Sequence, residues 1–293
     1  MSSADAPIVV LDSGLGGLTV VRSLRAAMPH EHILYFGDTA RVPYGSKSAA
    51  TVTSFVREII TYFLDRSPKH VVIACNTATA LALPAIRVAF PHISISGVIE
   101  PGAKAAVEAC GTKLEPVIGI IGTEATIRSK AYERAIHQRR HRARMLLRPT
   151  PLLVPIIEEG RSADDPLVSL ALHQYLWPMI EREIDVLVLG CTHYPMLKTP
   201  IQALAGPNVR VIDSAERCAE DVARRLTSAG LLRSAPVEKT DPSRLLQCFV
   251  TDESPRFAAL ASGFLGFPIR SCTWVSTDEL HERDRALQLR RAS

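Results

Sequence analysis

The sequence lacks close cysteine pairs: its six cysteines, at positions 75, 110, 191, 218, 248 and 272, are scattered along 293 residues. That spacing excludes a compact structural zinc site and the disulfide framework of a small secreted domain, so the thiols are expected to be reduced. Aromatic residues make up only 5% of the chain, and no aromatic-rich repeat is present to stack nucleic-acid bases. No apolar run approaches the roughly 20 residues of a membrane span. The Met1-Ser-Ser-Ala-Asp-Ala-Pro7 start has neither a basic nor a long apolar segment. These absences place the chain in the cytoplasm. A formal charge of +4 is too mild to demand a nucleic-acid partner.

What the chain does have is a pair of look-alike segments, His70-Val-Val-Ile-Ala-Cys75-Asn76-Thr77 and Asp185-Val-Leu-Val-Leu-Gly-Cys191-Thr192-His193. Each is an apolar run that stops at a thiol followed by small polar residues. Runs rich in Val and Ile read as buried parallel strands, and ligands gather beyond the carboxyl ends of such strands.

The surroundings of the two thiols repeat as well. Ile8-Val-Val-Leu11 is a strand entering the turn Asp12-Ser13-Gly14-Leu-Gly-Gly17, after which Leu18, Val21, Leu24 and Ala27 recur at helical spacing. A strand at 33–36, a loop at 41–46 and a helix over about 49–64 lead to the Cys75 strand. The pattern restarts at Pro116-Val-Ile-Gly-Ile-Ile-Gly122-Thr123, continues through a helix over about 128–141, and reaches the Cys191 strand. A further strand ends at Asp213-Ser214 and opens a helix, and the segment after about 276 reads as a solvated helix or loose tail. The fold class expected is α/β, with two similar α/β domains, parallel-type sheets related by pseudo-two-fold symmetry, and the active site in the cleft between them.

A lone cysteine at a strand end is more often a small core residue than a catalyst; the matched pair changes that weighting. Both thiols are expected near helix N-termini, which favour the thiolate and lower its pKa. Two opposed thiols, one taking a proton and one returning it to the other face of a carbon, would invert a stereocentre. Each needs a neighbour to manage its proton, and His193, Asp12 and Glu158 are the candidates. The Asp12-to-Gly17 turn does not fit a nucleotide-phosphate loop, because its spacing is wrong and a leading Asp repels phosphate. Its amides and Ser13 would suit a small carboxylate, and Asp12 an ammonium group; a plain tight turn explains the motif equally well. No second His or carboxylate lies at ligand spacing from His193, so no metal is expected. The basic cluster Arg128, Lys130, Arg134, Arg139, Arg140, His141, Arg142, Arg144 and Arg148 reads as a solvated helix face ahead of a nucleic-acid contact.

Over about residues 7–275 the chain resembles the glutamate racemase family of the aspartate/glutamate racemase superfamily. The resemblance rests on six collinear motifs: Val10-Leu-Asp12-Ser13-Gly14-Leu-Gly-Gly17, Tyr35-Phe-Gly-Asp38-Thr39-Ala-Arg-Val-Pro43-Tyr44-Gly45, Ala74-Cys75-Asn76-Thr77-Ala-Thr79, Gly119-Ile-Ile-Gly122-Thr123-Glu-Ala-Thr126, Val154-Pro-Ile-Ile-Glu158 and Leu189-Gly-Cys191-Thr192-His193-Tyr194-Pro195. It implies cofactor-independent interconversion of L- and D-glutamate, supplying D-glutamate for peptidoglycan. It implies Cys75 as the base toward D-glutamate, Cys191 as the base toward L-glutamate, and Asp12, Glu158 and His193 as their assistants. Substrate contacts are implied at Asp12, Ser13, Tyr44, Gly45, Asn76, Thr77, Thr123, Thr192 and His193.

The resemblance also implies a discontinuous first domain, 1–99 plus 213–275, with a second domain at 100–212 and a C-terminal tail at 276–293. A homodimer and, as in some glutamate racemases, DNA gyrase are the implied macromolecular partners. Two departures stand out, the tail and the unusually basic stretch at 139–148. The rival readings are a superfamily enzyme acting on aspartate or a hydantoin, and a non-catalytic binding protein that uses the Arg-rich helix toward an anionic partner.

Overall fold

The computed structural model describes residues 3–234, 245–252, 255–269 and 271–292. The expected first-domain range therefore runs in part through 235–244, which lies outside the described residues. The chain opens with β1 (Ile8–Asp12), α1 (Leu18–Ala27), β2 (Ile33–Gly37), α2 (Ala49–Tyr62), β3 (His70–Ile73), α3 (Asn76–Ala89), β4 (Ile95–Gly97) and α4 (Ile99–Ala109). There follow β5 (Val117–Gly122), α5 (Glu124–Arg128), α6 (Ala131–His137), β6 (Arg144–Pro149), α7 (Leu153–Glu158), α8 (Pro166–Ile180), β7 (Val186–Gly190), α9 (Lys198–Ala205), β8 (Arg210–Asp213) and α10 (Ser214–Ser228). The last described elements are β9 (Leu246–Val250), α11 (Pro255–Leu265), β10 (Cys272–Trp274) and α12 (Thr277–Ala292).

Two sheets result, one of six strands in the order β10-β9-β2-β1-β3-β4 and one of four in the order β6-β5-β7-β8. Every described pairing is parallel. Within each sheet the first, second, third and fourth strands of its unit lie in the spatial order second-first-third-fourth, so the repeat read from the sequence is a repeat of topology. The strands are apolar throughout because helices cover both faces, as parallel sheets require. One apolar core runs from Val10, Leu18 and Tyr35 of the first unit to Leu187, Leu189 and Tyr194 of the second, so the two halves share packing instead of merely touching.

Local chemistry sets the element ends. Ser48 accepts from the amide of Thr51 at the start of α2, Thr123 from Thr126 at the start of α5, and Asp213 from Ala215 at the start of α10. The helix expected over 128–141 is two pieces. Lys130 takes φ +56° between α5 and α6, and Ser129 Oγ both donates to the carbonyl of Thr126 and accepts from the amide of Ala131. Arg144 and Arg148 belong to β6, the edge of the smaller sheet, so the basic residues do not form one helix face. Arg139 is tied to Glu100 at 2.7 Å, and Arg140 to the carbonyl of Gly111 at 2.9 Å.

The return of the chain is also visible: β8 still belongs to the smaller sheet, α10 leaves it, and β9 joins β2. The segment after 276 forms α12, docked on α2. The buried Asp284 accepts from Arg57 Nε and Thr61 Oγ1, and Leu280 is fully buried. Among the described residues, no helix is long and apolar enough to cross a membrane.

Candidate active site

The carboxyl ends of β1 and β3 face those of β5 and β7 across a cavity of about 460 Å³. Ser13, Tyr44, Gly45, Cys75, Asn76 and Thr77 line it from the larger sheet, and Thr123, Glu158, Cys191, Thr192 and His193 from the smaller. Asp12 is the one sequence candidate that does not line the cavity. It is fully buried beneath the Gly14 turn, with Oδ2 accepting from the amide of Gly14 at 3.1 Å. Its Oδ1 has no hydrogen-bond partner among the described residues.

The turn is compact for a steric reason. A Cβ on Gly16 would lie 2.3 Å from Thr192 Oγ1 and 2.5 Å from His193 Nδ1, and one on Gly17 would lie 2.4 Å from the Cβ of Asp12. Glycine there lets the first turn close over the second cysteine loop. Thr19 Oγ1 adds a bond to the carbonyl of Thr192 at 2.9 Å.

Cys75 caps α3, its Sγ accepting from the amide of Ala78 at 3.4 Å while the thiol donates to Ser13 Oγ at 3.7 Å. The expectation that a helix N-terminus lowers this thiol is overturned. Burial, reinforced by the Asp12 carboxylate, pushes Cys75 up to about 12 and outweighs the Ala78 amide. Burial likewise raises the Asp12 carboxyl, with the charge of His193 pulling against it.

Cys191 caps no α-helix. Its loop continues into a single 3-10 turn at Tyr194–Leu197, with Pro195 as its second residue, and α9 begins only at Lys198. Its partner is a side chain: His193 Nδ1 lies 3.8 Å from Sγ, and Nε2 meets Glu158 Oε1 at 2.9 Å. Burial alone would lower the imidazole, but its contacts with Cys191 and Glu158 prevail and hold it up at about 10. These contacts bias the imidazole toward its cationic form beside Cys191.

The wall between the thiols is polar but carries no Lys or Arg among its lining residues. Thr77 Oγ1 lies 2.9 Å from Thr123 Oγ1, stitching the two halves together, and Asn76 Oδ1 accepts from Tyr132 at 2.8 Å. Val42, Pro43, Pro151, Val154 and Pro155 complete the lining with apolar surface.

Sequence reasoning missed the residues behind this wall. The buried Asp38 accepts from the Tyr44 hydroxyl, from Arg41 Nε at 2.7 Å and from Thr251 Oγ1 at 2.9 Å, and Arg41 in turn pairs with Glu58 of α2. Thr150 meets the Tyr194 hydroxyl at 2.5 Å. Asp38 and Arg41 stand in the quoted Tyr35-to-Gly45 motif, but only their contacts show what they hold. Among the described residues, no group of three or more His, Cys, Asp or Glu could hold a metal ion.

The family model for Asp/Glu/hydantoin racemases matches residues 18–222. A glutamate racemase of Chlorobaculum tepidum is 43% identical over 264 residues, covering 90% of this chain and 94% of the relative. One from Neisseria meningitidis is 43% identical over 270 residues, covering 92% and 96%. The crystal structure of glutamate racemase from Francisella tularensis in complex with D-glutamate superposes with a TM-score of 0.84 at 33% identity, covering 94% of this chain and 99% of that one.

Proposed function

The chain belongs to the glutamate racemases of the Asp/Glu/hydantoin racemase family, and from that premise we propose that it inverts glutamate without a cofactor, by a two-thiol mechanism in this cavity. The observation that carries the reading is the pair of strand-end thiols lining one cavity with unlike partners. Cys75 has Asp12 and Ser13, and Cys191 has His193 backed by Glu158.

In the L-to-D direction, Cys191 as thiolate takes the α-proton while the His193 imidazolium stabilises the charge on sulfur. Cys75, which holds its proton, delivers it to the opposite face. In the D-to-L direction Cys75 is the base, and Oδ1 of Asp12, without a hydrogen-bond partner among the described residues, supports the charge changes on that side. The substrate carboxylates are met by the donors of Ser13, Asn76, Thr77 and Thr192 and by backbone amides near Gly45, with Thr123 bracing Thr77. Fixed donors favour the negative charge that develops at the α-carbon, the more so once closure excludes water. We further assign 1–99 plus 213–275 to one domain, 100–212 to the other and 276–293 to a C-terminal extension, with the two domains closing on the substrate. The product supplies D-glutamate for peptidoglycan.

Proton NMR of chelator-treated protein with L-glutamate in heavy water, followed by chiral analysis, tests the reading. Loss of the α-proton signal with accumulation of D-glutamate, at a rate unchanged by added cofactors, is expected. Racemisation that needs a metal or pyridoxal phosphate would reject the mechanism.

A further inference from the structure

Asn76 follows Cys75 at the start of α3 and lines the cavity, but only half of its amide is occupied. Oδ1 accepts a bond from the hydroxyl of Tyr132 at 2.8 Å, whereas the buried Nδ2 has no hydrogen-bond partner among the described residues. A buried donor without an acceptor is costly, and at a cavity wall it marks where a ligand's acceptor belongs. An amide can rotate by half a turn and exchange its oxygen for its nitrogen with little change in shape. Something must therefore decide which end of Asn76 serves the cavity.

Tyr132 is built to decide it. The residue stands on α6 of the second half, among the basic residues that read from sequence as a solvated helix face, and is itself 1% exposed. Its ring is clamped on two sides: Cε1 lies 3.5 Å from the point where a Cβ on Gly102 would stand, and Cε2 lies 3.3 Å from that point on Gly190. Gly190 immediately precedes Cys191, so one side chain packs behind the second thiol and hydrogen-bonds the residue beside the first. Its hydroxyl, raised by burial and also hydrogen-bonded with Ser214, stays protonated and able to donate to Asn76 Oδ1.

We propose that Tyr132 is a positioning residue that locks the Asn76 amide with Nδ2 facing the cavity, so that it meets a carboxylate oxygen of the substrate. The inference rests on the reading of Asn76 as a substrate contact. Without the Tyr132 hydroxyl the amide is free to turn its oxygen toward that carboxylate, replacing a donor with a repelling acceptor.

The test is a double-mutant cycle on the full chain with Tyr132→Phe and Asn76→Ala, reading kcat and KM for both glutamate enantiomers together with the melting temperature. Phenylalanine preserves the clamped ring and removes only the hydroxyl. The expected result is a rise in KM of about 10-fold in Tyr132→Phe, the scale of one bond to a charged acceptor, with kcat changed far less. The double variant should be no worse than Asn76→Ala alone. If Asn76→Ala raises KM but Tyr132→Phe does not, or if Tyr132→Phe lowers only the melting temperature, the positioning inference is overturned. If Asn76→Ala itself leaves KM unchanged, Asn76 does not contact substrate and the underlying reading fails first. Additive KM effects would show the two residues acting independently and would also overturn the inference.

Discussion

Cys75 and Cys191 end equivalent strands, β3 and β7, in two units of the same strand order, yet their surroundings are electrically opposite. Cys75 is buried against a carboxylate and keeps its proton; Cys191 faces an imidazole held up at about 10 by its contacts with that sulfur and with Glu158. A duplicated fold supplies two thiols at matching places, and separate local partners give them the unlike surroundings that the proposed acid and base roles require. The resting arrangement suits one direction of the proposed reaction, and the reverse direction requires the protons to be redistributed after product leaves.

Removing either sulfur breaks the comparison most severely. Cys75→Ala and Cys191→Ala are each expected to lower racemisation by about 100- to 10,000-fold, the span of a lost general acid or base. Chiral chromatography of product reads this, and a variant with unimpaired turnover would end the two-thiol scheme. A smaller effect is expected at His193→Asn, about 100-fold. Enantiomers have equal free energy in water, so kcat/KM must fall equally in both directions. The asymmetry should therefore appear in kcat, with the L-to-D value falling further, and equal losses of kcat would detach His193 from Cys191. Glu158→Gln keeps the hydrogen-bonding shape but removes the charge behind the imidazole. It should cost about 10-fold and lower the alkaline limit of L-to-D turnover from near pH 10, where His193 gives up its proton. An unmoved limit would mean that Glu158 does not hold that proton.

The smallest effect on rate is expected at His70, which sharpens the contrast from outside the site. It is as buried as His193, but among the described residues its ring nitrogens meet the Ser94 and Ser96 hydroxyls, each at 2.9 Å, and burial pulls it down to about 4. Its folded value lies below its unfolded value of 6.5, so it favours folding above about pH 6.5, and that contribution is lost as pH falls through about 4. At about 1.36 kcal/mol per unit the window spans roughly 3 kcal/mol. For His193 the sign is reversed: its folded value is raised, so its contribution is complete below 6.5 and disappears as pH rises through about 10. Denaturant unfolding from pH 4 to 8 should show a shallower acid slope in His70→Gln than in the parent, and parallel slopes would contradict the assignment.

Much of the fold was legible because it is written locally. Continuous short runs of Val, Ile and Leu at 8–11, 71–73 and 186–189 read as buried strands, and the Asp12-to-Gly17 turn between a strand and a helical period announces itself. The motifs also brought Cys75, Cys191, His193 and Glu158 forward together. What failed was reasoning from one feature in isolation. A helix N-terminus at Cys75 argued for a lowered thiol, but desolvation dominates once the chain closes over it. A basic run argued for one helix, but Ser129 and Lys130 break it and the later arginines enter β6.

The sequence by itself determined the strand and turn pattern, the duplication and the placing of a thiol at the end of each of two strands, because these depend on residues within a few positions of one another. Only the tertiary structure decided which charge each thiol meets. Asp12, Glu158 and Tyr132 reach the two cysteines or their neighbours from other elements, and the burial that raises one group and lowers another exists only after those elements pack. Desolvation and Coulomb terms belong to the assembled cavity, not to any segment that lines it.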